Sequence, residues 1–424
     1  MAHGVAAHSY PVHEVGHVAR FFRRLFVALL VVVILAAAGT LVQLFRALPT
    51  AAVSFVLPTS TVVPGPALSL PWPAYAASAV EVQGLGTMGG VRQDEVRPLA
   101  SVTKLVSALV VLKQHPLAPG QSGPDITVST ADVAAYRTDA AQKQSVVPVA
   151  AGERLSELQA LEAMLVPSAN NVADMLASWS AGSTRAFIRD MNQEAAAIGL
   201  HHTHLADPAG ISPDSVGTAA DMLRLASVVM ANPLLRQIVS MPQVTLPVAG
   251  TVYNYDYVLG RDGIIGVKTG STTTAGGNFI FAARRVVAGR TVMVLGAVLG
   301  APGVQPLPAA LKDGESLASA AFSQLRVATV LPAGRKVVVV KAKWGKEVVA
   351  GTSRPVSVFG FTGEPVRLKV TPAPVLSGKV TTLTAGEKLA TVLVTAADGQ
   401  AQTVPVVAPG PLPQASLKYR LTRF

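Results

Sequence analysis

The sequence contains no cysteine. This rules out disulfides, thiolate metal sites, a cysteine nucleophile and a lipid-modified cysteine anchor. It fits an exported bacterial chain. Charge is also scarce, with 14% of residues charged against 50% hydrophobic. Such a composition is not that of a disordered protein and supplies a large core. Acids are the minority among the charges: 24 Asp and Glu stand against 35 Lys and Arg, a formal net charge of +11. A basic surface suits lipid headgroups, acidic polymers or nucleic acid. No Lys/Arg stripe interleaved with aromatics and no nucleic-acid motif is present, so a nucleic-acid partner is not expected. The 424 residues are enough for two or three domains, and no internal repeat is found.

A long, strongly apolar stretch without charge runs from Leu25 to Phe45. As a helix it would extend about 31 Å, close to the ~30 Å of a hydrocarbon core. Arg20, Arg23 and Arg24 precede it. The positive-inside rule then leaves the N-terminus cytoplasmic and exports the rest. A cleaved signal peptide is the competing reading, with Ala36 and Ala38 suited to a peptidase. The apolar run continues well past them, which favours an uncleaved anchor. His3, His8, His13 and His17 lie in the stub at no defined metal spacing and read as a solvated tail. Residues 46–70, rich in Ala, Pro, Ser, Thr and Val, lack a helical period and read as an extended linker.

Beyond the linker, alternation over 76–82 predicts a strand. Residues 101–114 carry Val102, Leu105, Val106, Leu109 and Leu112 at helical spacing, with Val110 and Val111 making the helix apolar almost all round. Such a helix is buried, and Pro116 stops it. Helices are expected over 155–166, 171–179, 218–230 and 307–325. Strands are expected over 263–270, 278–287 and 291–299, with Gly289-Arg290 as a hairpin turn. An antiparallel sheet with packed helices plus an all-helical lobe accounts for this order. After about residue 326 the pattern becomes short Val-rich strands (337–341, 366–370, 391–395) with a turn at Asp398-Gly399.

Three short motifs carry chemistry. In Ser101-Val102-Thr103-Lys104, residues three apart share a helix face, so the amine lies beside the hydroxyl. A serine needs a base to become a nucleophile, and a lysine serves only when neutral, which burial and a neighbouring cation favour. A helix start would add free N–H groups and a favourable dipole. Alone, the pair is explained as well by an N-cap serine and a snorkelling lysine. However, Lys104 is the only charged residue between Arg97 and Lys113, and no other serine has a lysine three residues on. In Ser168-Ala169-Asn170, on a turn between helices after Pro167, the hydroxyl suits proton transfer and the amide suits a substrate carbonyl or the lysine. A helix cap is the bland reading. In Lys268-Thr269-Gly270, at a strand end, the cation and hydroxyl suit a terminal carboxylate, and glycine admits a substrate backbone. Each motif occurs once, in an order known for penicillin-interacting serine enzymes.

These segments resemble the D-alanyl-D-alanine carboxypeptidases of low molecular mass, the peptidase S11-like penicillin-binding proteins of actinobacterial style. The likeness rests on Pro98–Lys104, on Ala206–Ile211 followed by Thr218–Asp221, and on Gly266–Thr272 followed by Ala275–Asn278. It covers roughly residues 71–325 and, more weakly, 326–408. Ala169 replaces a common glycine and Gly217 a usual serine. The segment 416–424 is too short for the amphipathic anchor that many members carry, and the N-terminal span takes that role.

The resemblance implies an α+β fold: a penicillin-binding-protein/β-lactamase-like catalytic domain, a small all-β domain behind it, and an N-terminal transmembrane helix. The expected division is a stub over 1–24, an anchor or signal over 25–45, the linker over 46–70, the catalytic domain over 71–325, the β-domain over 326–408 and a Pro-rich tail over 409–424. The implied activity is removal of the terminal D-Ala of peptidoglycan stem peptides through a Ser101 acyl-enzyme, inhibited by β-lactams, outside a single-pass membrane anchor. Ser101, Lys104 and Ser168 would be catalytic, and Asn170, Lys268, Thr269 and Gly270 would bind substrate. The N–H groups of Ser101 and Ser271 would form the oxyanion hole. No cofactor is expected, and no metal: His201, His202 and His204 lack a motif such as H-E-x-x-H. No G-x-S-x-G elbow surrounds Ser101 to suggest a Ser-His-Asp triad. The alternatives are a D,D-endopeptidase, a β-lactamase, and a catalytically silent wall-binding protein.

Overall fold

The computed structural model describes Met1 and residues 15–423. His3, His8 and His13 lie outside the described residues. The helix Val15–Phe45 is exposed from His17 to Val42 and half-buried at Gln43 and Leu44, and from His17 onward it is long and apolar enough to cross a membrane.

The central sheet is antiparallel, with the strands in the order Ile264–Thr272, Gly276–Val287, Arg290–Ala301, Ala77–Val82 and Gly86–Val91. Successive side chains of a strand face opposite ways, and here both faces are covered. Phe279, Phe281 and Ala283 belong to one core with Leu317, Ala321 and Phe322 of the helix Pro306–Ser323. Ile280 and Ala282 belong to another, shared with the helical lobe. Gly314 lets the helix approach, because a Cβ there would lie 2.4 Å from the Phe279 ring.

The lobe contains the helices Lys104–Gln114, Glu157–Leu165, Asn170–Ala181, Thr184–Ala197, Ala219–Ala231 and Pro233–Val239. Lys104–Gln114 runs through its middle and is buried from Lys104 to Leu112. Each apolar side chain buried there contributes about 1.5–3 kcal/mol, so the apolar pattern itself fixes where this helix lies. Local caps set several helix starts. Ser156 accepts from the Gln159 N–H while Gln159 answers in a capping box. Thr218 caps Ala219–Ala231 by accepting from the Asp221 N–H, so Gly217 leaves this helix cap intact.

The Val-rich strands form a seven-stranded sheet whose members include Lys336–Lys341, Glu347–Thr352, Ala401–Val407, Lys388–Thr395 and Pro365–Pro372. Its two remaining strands come from the segment expected to be a linker. Ala52–Phe55 pairs with Lys336–Lys341, and Ser60–Val62 pairs with Pro365–Pro372. Val63 is fully buried in the core of the same sheet. Residues 46–70 are therefore not a free spacer. Their short strands gain partners only from residues far along the chain, and no local pattern reports that. The segment expected to be a Pro-rich tail likewise carries a helix, Leu417–Thr422, packed against the end of the long apolar helix. The Arg423 guanidinium donates to the Gln43, Arg46 and Ala47 carbonyls, and Arg420 donates to the Leu44 carbonyl. These donors satisfy carbonyls that a helix end leaves open.

Candidate active site

Ser101 lies in a 3-10 turn, Ala100–Thr103, and the α-helix begins only at Lys104. The expected helix start thus falls one turn later than the serine. Ala100 has φ 48, a left-handed value that a non-glycine residue adopts at some cost. Three contacts hold that turn. The Asn278 amide donates to the Pro98 and Leu99 carbonyls, 2.9 Å each, and its oxygen accepts from the Gly300 N–H at 2.8 Å. Gly270 presses against the turn, where a Cβ would lie 3.0 Å from both Leu99 O and Ser101 N. At Gly210 a Cβ would lie 1.9 Å from the Ala100 carbonyl oxygen, and φ is +79. Only glycine fits at Gly210, and at Gly270 a side chain would force the turn to give by a few tenths of an ångström.

Lys104 is completely buried. Its amine donates to Ser101 Oγ at 2.8 Å, to Asn170 Oδ1 at 2.6 Å and to the Ala209 carbonyl at 2.8 Å. Burial, and next the charge of Lys268, pull its pKa well below the ordinary lysine value, while Asp207 and Asp174 act in the opposite sense. Ala209 is held in a loop wound on Asp207, whose carboxylate accepts the N–H groups of Ala209, Gly210, Ile211 and Ser212. Asn170 is itself held, donating to Gln144 Oε1 at 2.8 Å. Its helix is capped by Ala169, without a side-chain bond, so the cap reading of the second motif fails. Ser168 has φ 62, and its hydroxyl is buried without a hydrogen-bond partner. A strained residue with an unused buried donor is the kind of exception that marks functional positions.

Lys268 and Thr269 are buried on the strand Ile264–Thr272. The Lys268 amine donates to the Thr269 carbonyl at 3.1 Å. Burial lowers its pKa to about 7, with Asp256 opposing. Ser271 follows Gly270 on the same strand. Ser101, Lys104 and Asn170 are thus joined by direct hydrogen bonds. Gly270 ties the third motif to the Ser101 turn, and charge couples Lys268 to Lys104. Sequence reasoning gave no role to Asn278, to the Ala209 carbonyl or to Asp207. Asn278 and Asp207 stood within the resembling segments, but a backbone acceptor has no sequence signature. His202 lies against Asp221, its ring nitrogen 4.0 Å from the carboxylate.

A lysine in this setting can accept a proton from the serine beside it, and the groups around it can hold a carbonyl and a carboxylate. Residues 80–302 match the family described as D-alanyl-D-alanine carboxypeptidase, Peptidase S11. The chain belongs to this family. It is 33% identical over 230 residues to the D-alanyl-D-alanine carboxypeptidase DacB2 of Mycobacterium tuberculosis, covering 52% of this chain and 75% of that one. It is 30% identical over 194 residues to a D-alanyl-D-alanine endopeptidase of Escherichia coli, covering 43% of this chain and 58% of that one. The crystal structure of the Streptomyces K15 DD-transpeptidase superposes with a TM-score of 0.54 at 27% identity, over 60% of this chain and 100% of that one. The fold is accordingly the α+β fold of the penicillin-interacting D,D-peptidases.

Proposed function

We propose that this chain is a serine D-alanyl-D-alanine carboxypeptidase acting on peptidoglycan stem peptides. The 2.8 Å contact between the fully buried Lys104 amine and Ser101 Oγ carries the reading. Ser101 Oγ attacks the carbonyl of the penultimate D-Ala as Lys104 takes its proton. The N–H groups of Ser101 and Ser271 hold the developing oxyanion, and one such donor is worth ~3 kcal/mol. The C–N bond then breaks, with Ser168 delivering a proton to the departing D-Ala amine. Water hydrolyses the ester and frees Ser101. Asn170 orients Lys104, and Lys268 and Thr269 face the carboxylate end of the substrate. β-Lactams acylate Ser101 by the same attack. Mass spectrometry after penicillin exposure tests this: one adduct mapped to the Ser101 peptide is expected, and an adduct that persists in Ser101→Ala sinks the mechanism.

The apolar helix Val15–Phe45 serves as a single-pass anchor, with the peptidase outside the membrane. The donors from Arg420 and Arg423 to residues 43–47 support its retention. A second reading, hydrolysis of cross-links by the same chemistry, has support from an open cavity beyond Ser271. Feeding a cross-linked dimer beside a monomeric pentapeptide separates the two.

A further inference from the structure

The strand Ala77–Val82 sends Ala77 and Ala79 into the core shared with the helical lobe. Side chains alternate along a strand, so Glu81 faces the same way. The helix Ala219–Ala231 packs on this strand. Its residues Ala220, Arg224 and Ser227 stand four and three apart and share one face. With Glu81, with Gln93, and with Thr87 opposite Glu81 on the edge strand Gly86–Val91, they line a cavity of about 320 Å³. This is the small end of the range for ligand sites. None of the residues placed around Ser101 lines it.

Two opposite charges face this cavity without meeting. Glu81 is half-buried. Burial raises its carboxyl pKa, and the charge of Arg224 acts in the opposite sense. The two groups therefore sense each other. Yet no ion pair joins them, and the Glu81 carboxylate makes no hydrogen bond to the described residues. Arg224 donates through Nε to the Ile198 carbonyl at 2.9 Å. That bond holds the guanidinium on the helix side of the cavity. Its two terminal nitrogens make no hydrogen bond to the described residues. They are the pair of donors that matches a carboxylate in a fork. The remaining lining is mostly polar, with the Thr87 and Ser227 hydroxyls and the Gln93 amide.

We propose that this cavity binds a free α-amino acid as its zwitterion, with the ammonium on Glu81 and the carboxylate on the terminal nitrogens of Arg224. An α-amino acid carries both charges on one carbon, so a single small molecule answers both walls. A simple anion or a simple cation answers only one of them. An ammonium has three donors, and the hydroxyls and the amide take those that Glu81 does not. The D-Ala released by the proposed peptidase reaction belongs to this class, but the site does not depend on that reading.

Isothermal titration of the full chain in detergent tests the proposal, with D-alanine, D-alaninamide and propionate as probes. D-Alanine should bind with a Kd of roughly 1 mM, and the other two at least about fivefold more weakly. Two variants locate the binding. Glu81→Gln should weaken D-alanine about tenfold without weakening propionate, and Arg224→Gln should weaken D-alanine about tenfold without weakening the amide. Binding of a carboxylate beside Ser101 would respond to neither. Both variants should label with penicillin at the wild-type rate, which also shows that they fold. Glu81→Asp and Arg224→Lys keep the charges and alter their reach; they should weaken D-alanine less, and they decide the matter if a glutamine variant does not fold. The proposal is overturned by no saturable D-alanine binding up to about 20 mM, some twentyfold above the expected Kd. Equal binding of the three probes overturns it too, as does D-alanine binding unchanged in either glutamine variant. Absence of penicillin labelling in the wild-type chain is a separate result: it sinks the acyl-enzyme reading and leaves the binding ratios to decide this site.

Discussion

Lys104 meets two demands that oppose each other: an amine buried without a compensating carboxylate is destabilising, yet only the neutral amine can take the serine proton. Its neighbour Lys268 intensifies both effects. The rate of Ser101 acylation should rise with pH as Lys104 loses its proton, over a range below that of an ordinary lysine. Lys268→Gln removes a cation that disfavours protonated Lys104. The rising limb should then move to higher pH, which stopped-flow acylation by a chromogenic cephalosporin would measure. The same burial affects stability. The ordinary value for Lys268 is 10.5 and its folded value is about 7. Between these values the unfolded chain binds more protons, so stability should fall as pH drops from 10.5 to 7 and level off below. Lys268→Met should therefore raise the melting temperature of the peptidase domain at pH 7 by about 2–4 °C, the shift that ~1 kcal/mol produces in a domain of 150–250 residues, while acylation slows. At this scale the sequence was informative. Ser101, Lys104, Ser168 and Lys268 could be picked out because their chemistry depends on side-chain type. The Ala209 carbonyl could not, because any residue offers one.

Between elements, the site depends on the close approach of the strand Ile264–Thr272 to the Ser101 turn. Gly270→Ala places a methyl 3.0 Å from backbone atoms on both sides of Leu99-Ala100-Ser101. The strand or the turn must then give by a few tenths of an ångström, and acylation should slow by up to about tenfold, since roughly 1 Å of misplacement costs about 100-fold, with little loss of folded protein by circular dichroism. Asn278→Ala acts on the same seam by removing three hydrogen bonds, to the Pro98 and Leu99 carbonyls and from the Gly300 N–H, although the Leu99 carbonyl keeps the Val102 N–H. Its expected cost is about 3 kcal/mol, at ~1 kcal/mol for each lost bond, and urea unfolding would measure it. Elements with strong apolar periodicity were legible, the helix Lys104–Gln114 and the three long strands among them. The helix Thr130–Ala141 was not, because it buries no residue and so carries no apolar stripe. Thr184–Ala197 also escaped notice, as it buries only Phe187, Met191 and Ala195.

For the whole molecule, the telling segment is 46–70. A chain that begins at Thr50 keeps both of its strands and should fold and acylate penicillin without the apolar helix. A chain that begins at Pro71 loses Ala52–Phe55, Ser60–Val62 and the buried Val63. Its Val-rich sheet should unfold at a lower temperature, in a transition that precedes loss of penicillin labelling. Coincident unfolding of the two truncated chains would show that these strands contribute nothing. This arrangement lay outside sequence reasoning because strand pairing between residues 52 and 341, or 62 and 365, leaves no local pattern.

The same pairing makes the peptidase an insertion. Its polypeptide leaves the seven-stranded sheet after Ser60–Val62 and returns to it only at Lys336–Lys341. On a ribosome or in a translocon, the first two strands emerge early and then wait, unpaired, while the whole peptidase is made. Closing so long an intervening loop adds little entropy beyond a shorter one, since the cost grows only logarithmically. The vulnerable interval is kinetic. Until the later strands arrive, Ala52–Phe55 is an open edge available to another nascent chain. Its brevity, at four residues, limits that hazard.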